Sequence, residues 1–160
     1  SFFLSFFLNC VINDIMPKIR TTRTKAPPEG FDDIESQLME FERKMRETEE
    51  DKAIHKTPTE ACWPIFQIHH QRSRYIYDLY FKRKAISKDL YDYLCKNKYA
   101  DISLIAKWRK PGFENLCCLR CIQPRDTNHN TTCICRVPRK DMDEDKIITC
   151  RQCGCRGCGG

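Results

Sequence analysis

Nine of the twelve cysteines in this 160-residue chain fall in its last 44 residues, at Cys117, Cys118, Cys121, Cys133, Cys135, Cys150, Cys153, Cys155 and Cys158. One or two residues between thiols make a tight turn that aims neighbouring sulfurs at a common centre, which suits a soft cation, zinc above all. From Cys117 to Cys158 the sizeable apolar side chains are only Leu119, Ile122, Ile134, Val137, Met142, Ile147 and Ile148. So few cannot offset the conformational entropy of ordering the segment. Bound metal is expected to give this end its shape, and without metal it is expected to be unfolded.

Tetrahedral zinc takes four ligands. Three ions need twelve ligand positions, which nine thiolates fill when three of them each bridge two ions. Two separate four-cysteine sites are the alternative, and they strand one thiol. Adjacent residues such as Cys117 and Cys118 point to different sides in most backbone conformations, which favours service to different ions and hence the three-zinc cluster. Spacing does not say which sulfurs bridge. His129 is an alternative ligand, set against the ordinary reading of a solvated loop histidine. Disulfides fit poorly, because nine is odd and the Cys133-x-Cys135 spacing closes an awkward ring. They also require secretion. The apolar opening SFFLSFFLNCVINDI has neither the basic start nor the cleavage site of a signal peptide, and its apolar run is too short to span a bilayer. Met16-Pro17-Lys18 reads as an ordinary start, so residues 1–15 are expected to be an extension outside the fold, with Cys10 in no site.

The remainder divides into a basic arm and turn over 16–30, a helical region over 31–110 and the cysteine-rich part over 111–160. Formal net charge is +6, unevenly spread. Residues 67–110 carry eleven Lys and Arg against four Asp, whereas 29–60 carry five basic against eleven acidic residues. Phe31, Ile34, Leu38, Phe41 and Met45 recur at steps of three and four, which predicts a helix over 31–50 whose apolar stripe is a face for docking a partner. A second helix is expected from Trp63, with Pro64 in its first turn, to Lys84. Ser87 caps a third, short one holding Leu90, Tyr91 and Leu94, and a fourth runs from Asp101 to Trp108. Cys62 and Cys95 read as small core residues, His69 and His70 as packing or surface groups.

All six tyrosines lie between Tyr75 and Tyr99, among these cations. Rings interleaved with positive charge suit single-stranded RNA, although at helical spacing most such rings are core. The candidate phosphate contacts are Arg72, Arg74, Lys82, Arg83, Lys84, Lys107, Arg109 and Lys110, with Arg136, Arg139 and Lys140 beside the cysteines. Lys18, Arg20, Arg23 and Lys25 suit a nuclear import signal or an arm along nucleic acid. No phosphate loop, nucleophile motif or zinc set with an open position appears, so the metal is expected to be structural and the chain not an enzyme. A RING-like ubiquitin ligase module and a metal-buffering thiol protein are the competing readings.

The sequence also resembles a known family. Met16-Pro17-Lys18 with its basic run, Lys25-Ala26-Pro27-Pro28, Trp63-Pro64-Ile65-Phe66-Gln67-Ile68-His69-His70-Gln71, Arg74-Tyr75-Ile76-Tyr77-Asp78-Leu79, Lys82-Arg83-Lys84-Ala85-Ile86-Ser87, Leu104-Ile105-Ala106-Lys107-Trp108, Glu114-Asn115-Leu116-Cys117-Cys118-Leu119-Arg120-Cys121-Ile122 and Cys153-Gly154-Cys155-Arg156-Gly157-Cys158 look like the bud-site-selection family of small spliceosomal zinc proteins, also called the G-ten family. The likeness covers Met16 to Gly160, with residues 1–15 and the stretch from Thr48 to Thr59 departing from it. It implies a mainly α fold, with a small helical N-terminal body followed by a cysteine-rich zinc-cluster domain of little regular structure. It further implies a nuclear, non-enzymatic pre-mRNA splicing factor of the active spliceosome. Its partners would be spliceosomal proteins, small nuclear RNA and pre-mRNA, with no membrane and no small-molecule substrate, and its cluster zinc held by the nine cysteines.

Overall fold

A computed structural model of the chain describes residues 13–50, 57–126 and 131–160. Among these residues no strand forms, and four α-helices of seven or more residues precede the cysteine-rich segment. Helix α1 (Phe31–Glu50) buries Phe31, Ile34, Leu38, Phe41 and Met45, the stripe that the periodicity predicts. The stripe is not left for another protein. It packs inside the chain, where it is part of both hydrophobic clusters. The docking role expected for this face is thereby corrected: burying five large apolar groups against the rest of the chain leaves nothing on that side for a neighbour.

Helix α2 (Pro58–Tyr77) begins five residues before the expected start. Thr57 is its N-cap, with Oγ1 accepting from the Glu60 N–H at 3.2 Å, and Pro58 takes the first turn, where no donor is lost. Pro64 therefore lies within the helix rather than at its start. At the other end the α-helix widens into a π turn, Asp78–Lys82, closed by Arg83 N–H donating to Asp78 O at 2.8 Å. Helix α3 (Lys88–Lys96) and helix α4 (Ile102–Trp108) start where expected. The Ser87 hydroxyl caps Leu90, and the Asp101 carboxylate caps Ser103 and Leu104 at 3.0 and 3.2 Å.

One cluster gathers Phe31, Ile34 and Leu38 of α1 with Ile76, Leu90, Leu94, Leu104, Ile105, Trp108 and Leu116. The second sets Phe41, Met45, Ile65, Phe66 and Ile68 directly against the cysteines. Ile15, the last residue of the segment read as an extension, joins this second cluster at 6 % exposure. Residues 1–12, Cys10 included, lie outside the described residues.

Between the clusters sits Arg72, fully buried. Its Nε donates to Tyr99 O at 2.7 Å, and its Nη2 donates to Ile15 O at 2.6 Å and Lys98 O at 3.2 Å. Burial pulls its pKa down to about 10, so it stays charged at neutral pH. One guanidinium thus ties α2 to the chain before α1 and to the α3–α4 connection. Arg72 is withdrawn from solvent, so its expected role as an RNA contact is corrected.

After α4 the Trp108 Nε1–H donates to Leu116 O at 2.8 Å, which anchors the chain next to the first cysteine of the array. Beyond it the described residues form only short 3₁₀ turns, at Leu119–Ile122, Pro124–Asp126, Ile134–Arg136 and Arg139–Asp141.

Candidate metal centre

The nine cysteines converge from four short stretches of chain. The 3₁₀ turn Leu119–Ile122 brings Cys118 and Cys121 to one side, their sulfurs 3.5 Å apart. Cys133 N–H donates to Cys121 O at 2.8 Å, which lays the next stretch beside it. Cys150 N–H donates to Cys155 O at 2.8 Å and Gly154 N–H to Cys150 O at 3.0 Å, folding the third stretch into a loop around its own sulfurs. Cys158 and Gly159 N–H both donate to Cys135 O, at 2.8 and 3.0 Å, and close the cage.

Two glycines make that closure sterically allowed. At Gly154, where φ is +71°, a Cβ would stand 2.8 Å from the Trp63 ring, whose Nε1–H in turn donates to Arg151 O at 3.0 Å. At Gly159 a Cβ would stand 2.3 Å from Arg136 O. The glycine density of the tail was the one sequence signal for these contacts. Nothing local pointed to Trp63.

Three groups of four thiols form, and within each group the sulfurs lie within 4.8 Å of one another. They are Cys117, Cys118, Cys121 and Cys153; Cys121, Cys133, Cys135 and Cys150; and Cys117, Cys135, Cys155 and Cys158. All nine cysteines are used, and each pair of groups has one sulfur in common: Cys117, Cys121 or Cys135. Adjacent Cys117 and Cys118 share the first group, and Cys117 alone extends into the third. A tetrahedron of sulfurs around zinc at ~2.3 Å has edges of roughly 3.8 Å. Observed separations are 3.8 Å for Cys117–Cys135, 3.6 Å for Cys135–Cys158, 3.4 Å for Cys133–Cys150 and 3.2 Å for Cys121–Cys150. The donor set therefore fits zinc, with the tightest sulfurs moving outward by a few tenths of an ångström.

Electrostatics points the same way. Cys118 is held far below the usual thiol range by hydrogen bonds from Cys117 and Cys121, while bonding to Cys118 and Cys121 holds Cys117 far above it. Sulfurs this close cannot all carry charge unless cations sit among them, so they share protons that a divalent ion would displace. Cys158 is pulled down to about 7 by its bonds with Cys117 and Cys135, and Arg136 adds to the effect. Further N–H groups point at sulfur: Gln152 N to Cys150 at 3.2 Å, Gly157 N to Cys155 at 3.3 Å, and Arg136 Nη1 to Cys158 at 3.4 Å. Contacts of this kind orient thiolates where they ligate a metal.

Residues 16–160 match the family described as Pre-mRNA-splicing factor BUD31. The chain belongs to the BUD31 family. It is 59 % identical over 145 residues to the Protein BUD31 homolog of Branchiostoma belcheri, covering 91 % of this chain and 100 % of that one. It is 58 % identical over 143 residues to the pre-mRNA-splicing factor cwf14 of Schizosaccharomyces pombe, covering 89 % and 97 %. The pre-mRNA-splicing factor BUD31 of Saccharomyces cerevisiae is 54 % identical over 153 residues, covering 89 % and 98 %.

In this BUD31-family chain the basic residues sort by what they touch. Arg74 stacks over Trp108 at 4.2 Å and donates to Glu114 O, so it holds the approach to the cysteines. Arg136 donates to Cys158 O at 2.7 Å and Gly112 O at 2.6 Å and lies over Phe113. Arg139 donates to Lys146 O and Glu144 O at 3.2 and 3.3 Å. Lys107 lies over Phe113 and Arg109 over Phe81. Lys82, Arg83, Lys84, Lys110 and Lys140 face solvent, Lys82 within 3.5 Å of Asp78.

In the amino-terminal arm Lys18 N–H donates to Asn97 O at 3.0 Å, and Arg20 pairs with Glu35 over the Phe31 ring. Arg23 and Lys25 are exposed. The structure gathers neither these four nor the helical cations at the cysteine cage. His69 meets Asp101 at 3.3 Å, and His70 packs edge-on against Trp108 and lines a cavity with Cys117, Cys153, Cys155 and Cys158; neither belongs to a four-thiol group, and His129 lies outside the described residues. Cys62 and Cys95 are half-buried and belong to none of the three groups.

Proposed function

We propose that this chain is a nuclear, non-enzymatic scaffold of the active spliceosome whose nine C-terminal cysteines hold three zinc ions. Membership of a family whose curated relatives are named pre-mRNA-splicing factors supports the splicing role. The observation that carries the metal reading is the overlap of three four-thiol groups through Cys117, Cys121 and Cys135. In this reading those three sulfurs bridge, and Cys118, Cys133, Cys150, Cys153, Cys155 and Cys158 each bind one ion. Four thiolates per zinc leave no position for water, which supports a structural metal over a hydrolytic one. Nor is any helix among the described residues long and apolar enough to cross a membrane.

Small nuclear RNA and pre-mRNA would meet the cations that solvent already reaches: Lys82, Arg83, Lys84, Arg109, Lys110, Arg139 and Lys140, with Lys107 at their edge. Contacts of this kind are independent of sequence and weaken steeply with salt. Arg23 and Lys25, and Lys18 and Arg20 through their exposed ends, would serve nuclear import. Elemental analysis of purified protein tests the core of the proposal: three zinc atoms per chain are expected, and two would replace the bridged cluster with separate sites. RNA affinity that ignores salt, or that survives replacement of Lys82, Arg83, Lys84 and Lys110 by Ala, would remove the RNA surface.

A further inference from the structure

Helix α4 is apolar on two sides. Leu104, Ile105 and Trp108 are buried, yet Ile102 keeps 59 % of its surface exposed and Ala106 is exposed beside it. The outer side of α4 borders a cleft of about 370 Å³, walled by Tyr80, Phe81, Tyr91 and Ile105, with Lys88 and Arg109 also lining it. One unusual backbone feature lines the cleft and a second follows it in the chain. The π turn Asp78–Lys82 carries Tyr80 and Phe81, and Lys84 just beyond it has φ +50°, left-handed without being glycine. Both kinds of feature are enriched at functional sites.

We infer that this cleft docks a segment of a neighbouring protein in which a large apolar side chain is flanked by Asp or Glu. The apolar group would lie against Ile102 and the aromatic walls, and the carboxylates would meet Lys88 and Arg109. Charge selects the partner: two cations, Lys88 and Arg109, line the cleft against a single carboxylate, Asp92. A nucleobase fits less well. The rings of Tyr80 and Tyr91 are stacked on each other with centroids 4.3 Å apart, and Arg109 lies 4.8 Å above Phe81, so those faces are engaged rather than offered as a platform. This inference rests on the reading of the chain as a scaffold among spliceosomal proteins, and it places protein docking on α4 rather than on the buried stripe of α1.

The test is selection from a display library of random short peptides on the zinc-loaded full chain, followed by affinity measurement with the Ile102→Glu and Lys88→Glu variants. Peptides with an aromatic or aliphatic residue between acids should be enriched. Their binding should fall roughly tenfold or more with Ile102→Glu, and by a smaller, salt-sensitive factor with Lys88→Glu. Zinc content and helical circular dichroism of both variants should match the parent; if Ile102→Glu loses helicity, Ala106→Glu carries the same test. No enrichment, enriched peptides that bind the variants unchanged, or an RNA oligonucleotide whose affinity drops with the uncharged Ile102→Ser would each overturn the inference. A chain that selects no such peptide yet holds three zinc ions and binds RNA loses this inference and keeps its proposed function.

Discussion

The helical body and the cysteine-rich segment are packed against each other, but they reach order by different physics. In the body Met45, Ile76, Leu90, Leu94, Leu104, Ile105, Trp108 and Leu116 are almost completely removed from water. Of the seven sizeable apolar residues in the segment only Ile148 is buried, while Ile147 is 86 % exposed. What the segment buries instead is sulfur: Cys121, Cys135 and Cys150 have no exposed surface. The body can thus be held by the hydrophobic effect, whereas the segment has burial without enough hydrocarbon and, on the proposed reading, would depend on metal held by its thiolates. Their contact sets Phe41, Met45, Ile65 and Phe66 against the cage, so with the proposed zinc ions a metal-dependent element would extend a metal-independent one.

Removing metal is the strongest way to break this contrast. A chelator should unfold the chain beyond Leu116, with a loss on the order of 10 kcal/mol per zinc ion, while α1 to α4 keep most of their helical signal. Limited proteolysis followed by mass spectrometry would locate the cuts, and simultaneous loss of the helices would show that the two regions are a single unit. Next in size comes the difference between kinds of cysteine. Cys121→Ser, which strips a ligand from two groups, should lower zinc per chain more than Cys118→Ser, which strips one. Equal losses in native mass spectrometry would argue against sharing.

Within the body, Arg72→Met should cost about 3 kcal/mol, because it leaves buried carbonyls of Ile15, Lys98 and Tyr99 without a donor. Urea unfolding would read the change, and zinc content should not follow it. The smallest effect is at Asp101→Ala, where loss of the α4 cap should cost about 1 kcal/mol. A shift in melting temperature with unaltered zinc would place that cost in the body alone.

What could be read beforehand was what is local. The stripe of α1 and the caps Ser87 and Asp101 are legible because spacing along the chain is itself the signal. So is the thiol array, since ligand count follows from composition. The start of α2 differs from the expected one because Pro64 competes as a start signal with Thr57 and Pro58, and only packing of the whole helix decides between them. Arg72 looks like its neighbours in a basic run. Its burial depends on carbonyls at residues 15, 98 and 99, which come together only once the chain has folded. The pairing of cysteines into groups is likewise a property of the closed cage, since Cys117 meets Cys155 and Cys158 from the far end of the segment.

The shared sulfurs also decide how such a centre can fail. Every group has one corner in common with each of the other two, so no ion could leave without undoing a corner of both its neighbours. Occupancy would then behave as a threshold: above it the tail is rigid and complete, below it the whole cage opens at once. A cell short of the metal would hold two populations, intact and collapsed, with few molecules between them.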